Sequence, residues 1–242
     1  APFVHKSIFE DDLAQILVRD DKDPQKVKVV FGNSKLRSKL ETMSMLLLVM
    51  KLAYTSIILT DDDIRKYSSV LTMDIVRKYP ISSEVAHVVQ NCLSAENWCA
   101  TPNENIISCL LLLGAFFVFS PDEGDFFYEQ PTGVLASIAM MLGVSIGLHK
   151  DPSDYPVFSN DTLGDKRVCN QRRLLWIAMI CVLTFETNTK GSTVDKHDDL
   201  FDIFIDLRDP SSVYELMDRV KKDCDHNDEG SIEVMNVIEN LF

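Results

Sequence analysis

Ile106-Ile107-Ser108-Cys109-Leu110-Leu111-Leu112-Leu113-Gly114-Ala115-Phe116-Phe117-Val118-Phe119 is the stretch that decides the fold. It is apolar on nearly every side, and a helix of that kind needs neighbours all round. At about 14 residues it falls short of the roughly 18 to 20 that a bilayer crossing requires. A central core helix is therefore expected, with no membrane span. Upstream, Thr101-Pro102-Asn103-Glu104 combines an N-cap, a proline at the first helical position and a glutamate three residues after the cap, the capping-box arrangement. Downstream, Ser120-Pro121-Asp122-Glu123-Gly124-Asp125 is turn chemistry that ends the helix.

Working outward, Leu36, Leu40, Met43, Leu47, Met50 and Tyr54 recur at steps of three and four and predict an amphipathic helix to about Leu59. Asp61-Asp62-Asp63 suits the positive end of a following helix, which Pro80 stops, and Ser82-Ser83-Glu84 starts another. Further helices are predicted from about Pro131 to Leu148, where Gly143 and Gly147 allow neighbours to approach closely, and from Gln171 to Thr187. Between them, Pro156 to Val168 reads as a polar loop. Ser212 to Asp223 and Ser231 to Leu241 complete the series. Only Val27 to Phe31 has strand character, so the fold class is all-α: a bundle-like domain of about seven or eight helices. Residues 1-35 read as a polar N-terminal arm and 36-242 as the helical domain. No fixed-period repeat is evident.

Twenty-four basic against 37 acidic residues leave a net charge of −13, the wrong sign for gripping phosphates, so no direct nucleic-acid contact by this chain is expected. The six cysteines lie apart with no CxxC pair, which indicates neither a disulfide framework nor a zinc site. They read as reduced, buried thiols of an intracellular protein. The first residue is not Met and no signal peptide follows. The chain is thus expected to be a piece of something longer.

Enzymatic motifs are sparse. Asp198, Asp199 and Asp202 have the DDxxD spacing with which all-α isoprenoid enzymes hold Mg²⁺ against a diphosphate. A second metal motif is absent, and an acidic chain produces such a pentamer readily by chance. No two of His5, His87, His149, His197 and His226 fall at a metal-binding helical spacing from one another. No serine sits in a nucleophile elbow, since the G-x-S-x-G match at Gly143-Val144-Ser145-Ile146-Gly147 falls inside the helix predicted from Pro131 to Leu148 and not on a strand-to-helix turn, and there is no glycine-rich phosphate loop. The chain is therefore expected not to be an enzyme, to bind no metal and to hold no cofactor. What stands out instead is a density of Met and aromatic side chains in the middle of the chain. These can be core, or they can line a small-molecule pocket; Leu112, Phe116, Phe117, Met140, Met141, Ser145, Trp176 and Met179 are the candidate lining residues.

Three blocks carry a resemblance. They are Cys109-Leu110-Leu111-Leu112-Leu113-Gly114 with Gly133 through Met141, then Ile146-Gly147-Leu148-His149-Lys150-Asp151-Pro152, then Arg172-Arg173-Leu174-Leu175-Trp176. In this order the segment from about 101-205 resembles the middle homology region of fungal Zn₂Cys₆ zinc-cluster transcription factors, although Ser192-Thr193 stands where that family has Arg-Pro. The resemblance implies a regulatory, effector-sensing domain, with the zinc carried by a separate DNA-binding domain of the parent protein. It implies a nuclear or shuttling location, a coactivator or corepressor as partner, a possible homodimer, and a small-molecule effector such as a sterol, fatty acid, haem or xenobiotic. A ligand-free inhibitory or dimer-organising scaffold is the alternative. His149, Asp151, Arg172, Arg173 and Trp176 read as architectural: His149 and Asp151 end a helix and satisfy its free carbonyls, while an arginine reaching Asp151 or Asp154 pins two helices together.

Overall fold

The computed structural model describes residues 3–59, 74–119, 132–154, 165–190 and 210–236, apart from short gaps at 21–22, 24–25, 33–34, 75, 96, 225–227, 229 and 233–234. The architecture is all-α. In chain order come α1 (Lys6–Ala14), the strands β1 (Leu17–Arg19) and β2 (Val27–Val29), α2 (Leu36–Leu59), α3 (Val85–Ala95), α4 (Glu104–Phe119), α5 (Thr132–Ser145), α6 (Lys166–Lys190) and α7 (Pro210–Asp223).

Helix α4 is the hub. Every residue from Ile106 to Leu113 is buried, as is Phe116, because α2, α5 and α6 pack around it. Helix α3 lies against α2, and α7 against α6. The start of α4 differs from the capping box expected at Thr101. Asn103 is the cap: its Oδ1 accepts from Ile106 N at 2.9 Å, and Thr101 uses its hydroxyl and carbonyl to receive Arg37 instead. Asn103 Nδ2 also donates to both oxygens of Glu41, at 2.9 and 3.0 Å. That carboxylate is 2% exposed on α2 and takes a further bond from Arg37 Nε at 2.9 Å, so its burial is compensated.

Two helices, α2 over Leu36–Ile58 and α6 over Lys166–Glu186, are long and apolar enough by length and composition to cross a membrane. Both carry buried polar groups spent inside the fold. On α2, Thr42 and Ser44 return their hydroxyls to Ser38 and Leu40 carbonyls, and Lys51 Nζ donates to Ile81 O at 3.0 Å.

The two glycines of the α5 region have different tasks. A Cβ on Gly143 would sit 2.7 Å from Met179 Cε, so this glycine does permit close approach of α6. Nothing lies within 4 Å of a Cβ on Gly147, whose φ of +73° is the reason for glycine there. Gly147 N bonds Val144 O and Leu148 N bonds Gly143 O, at 3.0 and 2.9 Å, the Schellman closure of a helix end.

Helix α6 begins earlier than the polar composition of 156 to 168 suggests. Asp165 caps it, accepting from Arg167 N at 2.9 Å and from the Arg167 guanidinium. Asp228, rather than Ser231, opens the last turn, accepting from Ser231 N at 2.7 Å. Asp228 also receives the Ser7 hydroxyl at 2.6 Å and faces His5 Nε2 at 3.5 Å, which ties the buried His5 to the far end of the chain. The cysteines are not uniformly buried: Cys109, Cys169 and Cys224 are, whereas Cys99 and Cys181 are exposed. The aspartates Asp61 to Asp63 and Asp198, Asp199 and Asp202 lie outside the described residues.

Candidate functional site

Helix α6 carries two distinct environments along its length. Its first half is charged on the face toward α7 and the segment after α5. There Arg173, 2% exposed, spends all five of its N–H donors. Nε and Nη2 fork onto Asp151 Oδ2 and Oδ1, both at 2.9 Å. Nη1 reaches Asp223 Oδ2 at 2.7 Å and Asn170 Oδ1 at 3.0 Å, and the second Nη2 hydrogen goes to the Ser153 hydroxyl. Asp151 further accepts from Ser153 N at 2.8 Å, closing the turn at Pro152–Asp154. Burial alone would raise the Asp151 carboxyl, but the bonds from Arg173 and Ser153 and the Arg173 charge outweigh it and hold the group at about 2. Asp223 is lowered by the same contest, burial against Arg173 and Lys166.

Arg172 points elsewhere, because neighbours on a helix are about 100° apart. It pairs with Glu104 at the start of α4, and its Nη2 donates to Ile146 O at 3.1 Å. Thus the carbonyl left free at the end of α5 is satisfied by Arg172, not by His149 or Asp151; a carboxylate has no proton to offer. His149 instead lies with its ring 6.1 Å from that of Trp176, and burial, followed by the Lys150 charge, depresses its pKa. Arg219 on α7 closes the cluster with bonds to Asp151 and Asp154 at 3.2 and 3.1 Å. A cleft of about 180 Å³ remains beside it, bordered by His149, Asp151, Arg173, Trp176 and Arg219. Its charged walls are already paired with one another, which makes it a structural clasp.

The second half of α6 is apolar and faces a larger space. A pocket of about 770 Å³ lies between α4, α5 and α6, within the range of roughly 300 to 1,000 Å³ that small-molecule sites occupy. Leu110, Leu111, Gly114, Ala115, Val118 and Phe119 line it from α4, Thr132, Leu135 and Ala136 from α5, and Cys181, Val182, Phe185 and Glu186 from α6. Gly114 faces open space: a Cβ there would meet nothing within 4 Å. Thr132 and Glu186 supply polar atoms at one end, and Cys181 a thiol, to an otherwise hydrocarbon wall.

None of the eight residues singled out from the sequence lines this pocket. Leu112, Phe116, Met140, Trp176 and Met179 are buried in the core, each at most 2% exposed. Phe117 packs edge-on to Phe116 with centroids 5.4 Å apart. Met141 is 51% exposed, and Ser145 is an exposed residue whose hydroxyl returns to Leu142 O at 2.6 Å. The pocket's own signal is the pair Gly114-Ala115 in a run of large side chains, since two small residues in succession make α4 thin there and both border the pocket. Among the described residues, no group of three His, Cys, Asp or Glu side chains is placed to hold a metal ion.

The chain is similar to fungal transcription regulators. It is 45% identical over 222 residues to the oleate-activated transcription factor 1 of Saccharomyces cerevisiae, covering 92% of this chain and 21% of that protein. It is 39% identical over 238 residues to the peroxisome proliferation transcriptional regulator of the same yeast, covering 98% of this chain and 24% of that protein. A regulator of drug sensitivity 1, also from this yeast, is 27% identical over 232 residues, 94% of this chain and 26% of its own length. The chain thus spans about a quarter of the length of the curated relatives it matches or somewhat less. No family model matches the chain, and no solved structure matches it. The resemblance to fungal zinc-cluster transcription factors, read from three short blocks, extends over most of the chain.

Proposed function

From this similarity to fungal zinc-cluster transcription regulators, we propose that the chain is the effector-sensing part of such a regulator, and that its effector is a long-chain fatty acid or a molecule of similar shape. The observation that carries the proposal is the apolar pocket between α4, α5 and α6. Its volume suits a molecule of that size, its wall is hydrocarbon apart from Thr132, Cys181 and Glu186, and one relative is named for activation by oleate. In this reading the parent protein acts in the nucleus, the DNA-binding zinc cluster lies elsewhere in it, and a coactivator or corepressor responds to the state of this region.

The mechanism is a population shift. An effector changes output only if it binds one conformation better than another. A hydrocarbon chain inserted among α4, α5 and α6 joins three helices across a space that is otherwise poorly filled, and so favours the arrangement in which they are held together. Because α6 also carries Arg172 and Arg173, that arrangement is transmitted to α7 and to the start of α4 through the charged clasp.

The test is titration of the purified chain with oleate, followed by displacement of a fluorescent fatty acid and by thermal unfolding, for the natural sequence and for Gly114→Trp. Saturable binding and a rise in Tm are expected for the first. The variant, whose indole occupies the open space beside Gly114, is expected to fold and to bind nothing. Absence of saturable binding, or equal binding by the variant, would overturn the assignment.

A further inference from the structure

A surface remote from the pocket is built for a different purpose. Strands β1 and β2 form an antiparallel ribbon with Leu17 opposite Val29, Val18 opposite Lys28 and Arg19 opposite Val27. The bonds that flank this ladder, Val30 N to Ile16 O at 2.9 Å and Asp20 N to Lys26 O at 3.0 Å, set its phase. Lys28 exchanges bonds with Val18, and the N–H and C=O groups of Val27 and Val29 point away from β1. Among the described residues, no strand lies on that far side of β2. The edge is also apolar: Val27 is 56% exposed, and Val29, Val30 and Phe31 are 46%, 43% and 44% exposed. Unpaired main-chain groups beside exposed valines are a template for another strand.

We propose that the outer edge of β2 takes up an extended peptide segment of alternating acidic and apolar residues as a third strand. Charge identifies the occupant. Alternation puts Val27 and Val29 on one face of β2 and Lys28, with Lys26 before it, on the other. The two lysine side chains are 73% and 57% exposed and, among the described residues, pair with nearby Asp23 and Asp20, at 3.1 and 2.9 Å; such surface pairs exchange readily for new ones. Just beyond the strand, Lys39 Nζ lies 3.6 Å from where a Cβ on Gly32 would be, which places a further cation beside the chain that leaves β2. From Arg19 to Lys39 there are seven basic and three acidic residues, a basic island in a chain of net charge −13.

A second copy of the chain fits this edge poorly, since an antiparallel pair of β2 strands centred on Val27 sets Lys26 opposite Lys28 of the other copy, and one centred on Lys28 sets that lysine opposite itself; like charges directly opposite are destabilising. An incoming strand with Asp or Glu at alternate positions meets the lysines, while its intervening apolar residues cover Val27 and Val29. Disordered acidic-apolar segments have this composition.

The experiment titrates a dye-labelled Glu-Val-Glu-Val-Glu-Val-Glu peptide with the chain and reads fluorescence anisotropy, with a Lys-Val peptide of equal length as control. Binding of the acidic peptide alone is expected. It should weaken by about tenfold in Lys28→Glu, which reverses one contact charge, and by a similar factor in Val29→Pro, which deletes one outward N–H. Helical circular dichroism should be unchanged in both. Failure of the acidic peptide to bind, equal binding of both peptides, or full binding to Val29→Pro would overturn strand addition. Concentration-dependent dimerisation of the free chain that Val29→Pro abolishes would assign the edge to a second copy instead.

Discussion

Arg173 and Asp151, 22 positions apart in the chain, meet in a two-bond fork with both N–O distances at 2.9 Å and only 1% and 6% of their side chains exposed. The pair joins two of the three sequence blocks on which the family resemblance rests. Its strength comes from completion rather than from charge alone. Asn170, Ser153 and Asp223 take the remaining arginine donors, so neither ion is buried with an unused bond.

Arg173→Ala should cost about 3–5 kcal/mol of stability, the usual consequence of leaving a buried carboxylate without its partner. Arg173→Lys keeps the charge but cannot reproduce the planar fork or serve five acceptors, so it should also lower Tm. A double-mutant cycle with Asp151→Asn, read by urea denaturation, should show strong coupling; additive effects would contradict the clasp.

Asp151 gives the fold an acid-sensitive component. Its native carboxyl sits at about 2 against an ordinary 3.8, so the folded state binds the proton less well than the unfolded one. The resulting stabilisation is fully present above about pH 4 and disappears as pH falls towards 2. The difference in unfolding free energy between the natural chain and Asp151→Asn should therefore shrink by on the order of 2 kcal/mol over that window. His149, depressed by burial and by Lys150, contributes a separate loss that begins below its ordinary value of 6.5. Comparison with Asp151→Asn at each pH removes it.

The hub helix and its neighbours were legible because composition and period-3.6 spacing report burial directly. What the sequence could not assign was direction. A helix apolar on all sides has no marked face, so Phe116 and Gly114, two positions apart, look equally suited to a pocket although one fills the core and the other faces open space. The same limit applies to Arg172 and Arg173. An arginine paired with the aspartates after α5 was inferable from charge and spacing, but which of two adjacent arginines reaches Asp151 depends on the rotation of α6. Capping failed for another reason: Thr101 and Asn103 are both competent caps, and the tertiary partner Arg37 claims the first.

Gly143 and Gly147 should respond oppositely to a change in Met179. Gly143→Ala would gain helix propensity of about 1 kcal/mol but drive its methyl into Met179, for a cost of about 1–3 kcal/mol, and should lower Tm. In a Met179→Ala background the clash is gone and the same substitution should stabilise. Gly147→Ala is strained by its φ of +73° and not by any neighbour, so it should cost about 1–2 kcal/mol in both backgrounds. Thermal unfolding of the six proteins decides the matter, and rescue of Gly147→Ala by Met179→Ala would refute the division.

Two substitutions on α4 separate its core face from its pocket face without any ligand. Phe116, 1% exposed, is enclosed by core side chains, so Phe116→Ala should open a cavity and cost about 3–5 kcal/mol. Gly114→Leu places four carbons in space that is empty to 4 Å around the first of them. It also replaces the least favourable ordinary helix residue with one of the best. The chain should therefore become more stable by about 1 kcal/mol, measured as a higher Tm with an unchanged helical spectrum, while the pocket loses volume. A destabilised Gly114→Leu would mean that α4 presents this face to packed side chains, and the pocket between α4, α5 and α6 would have to be abandoned.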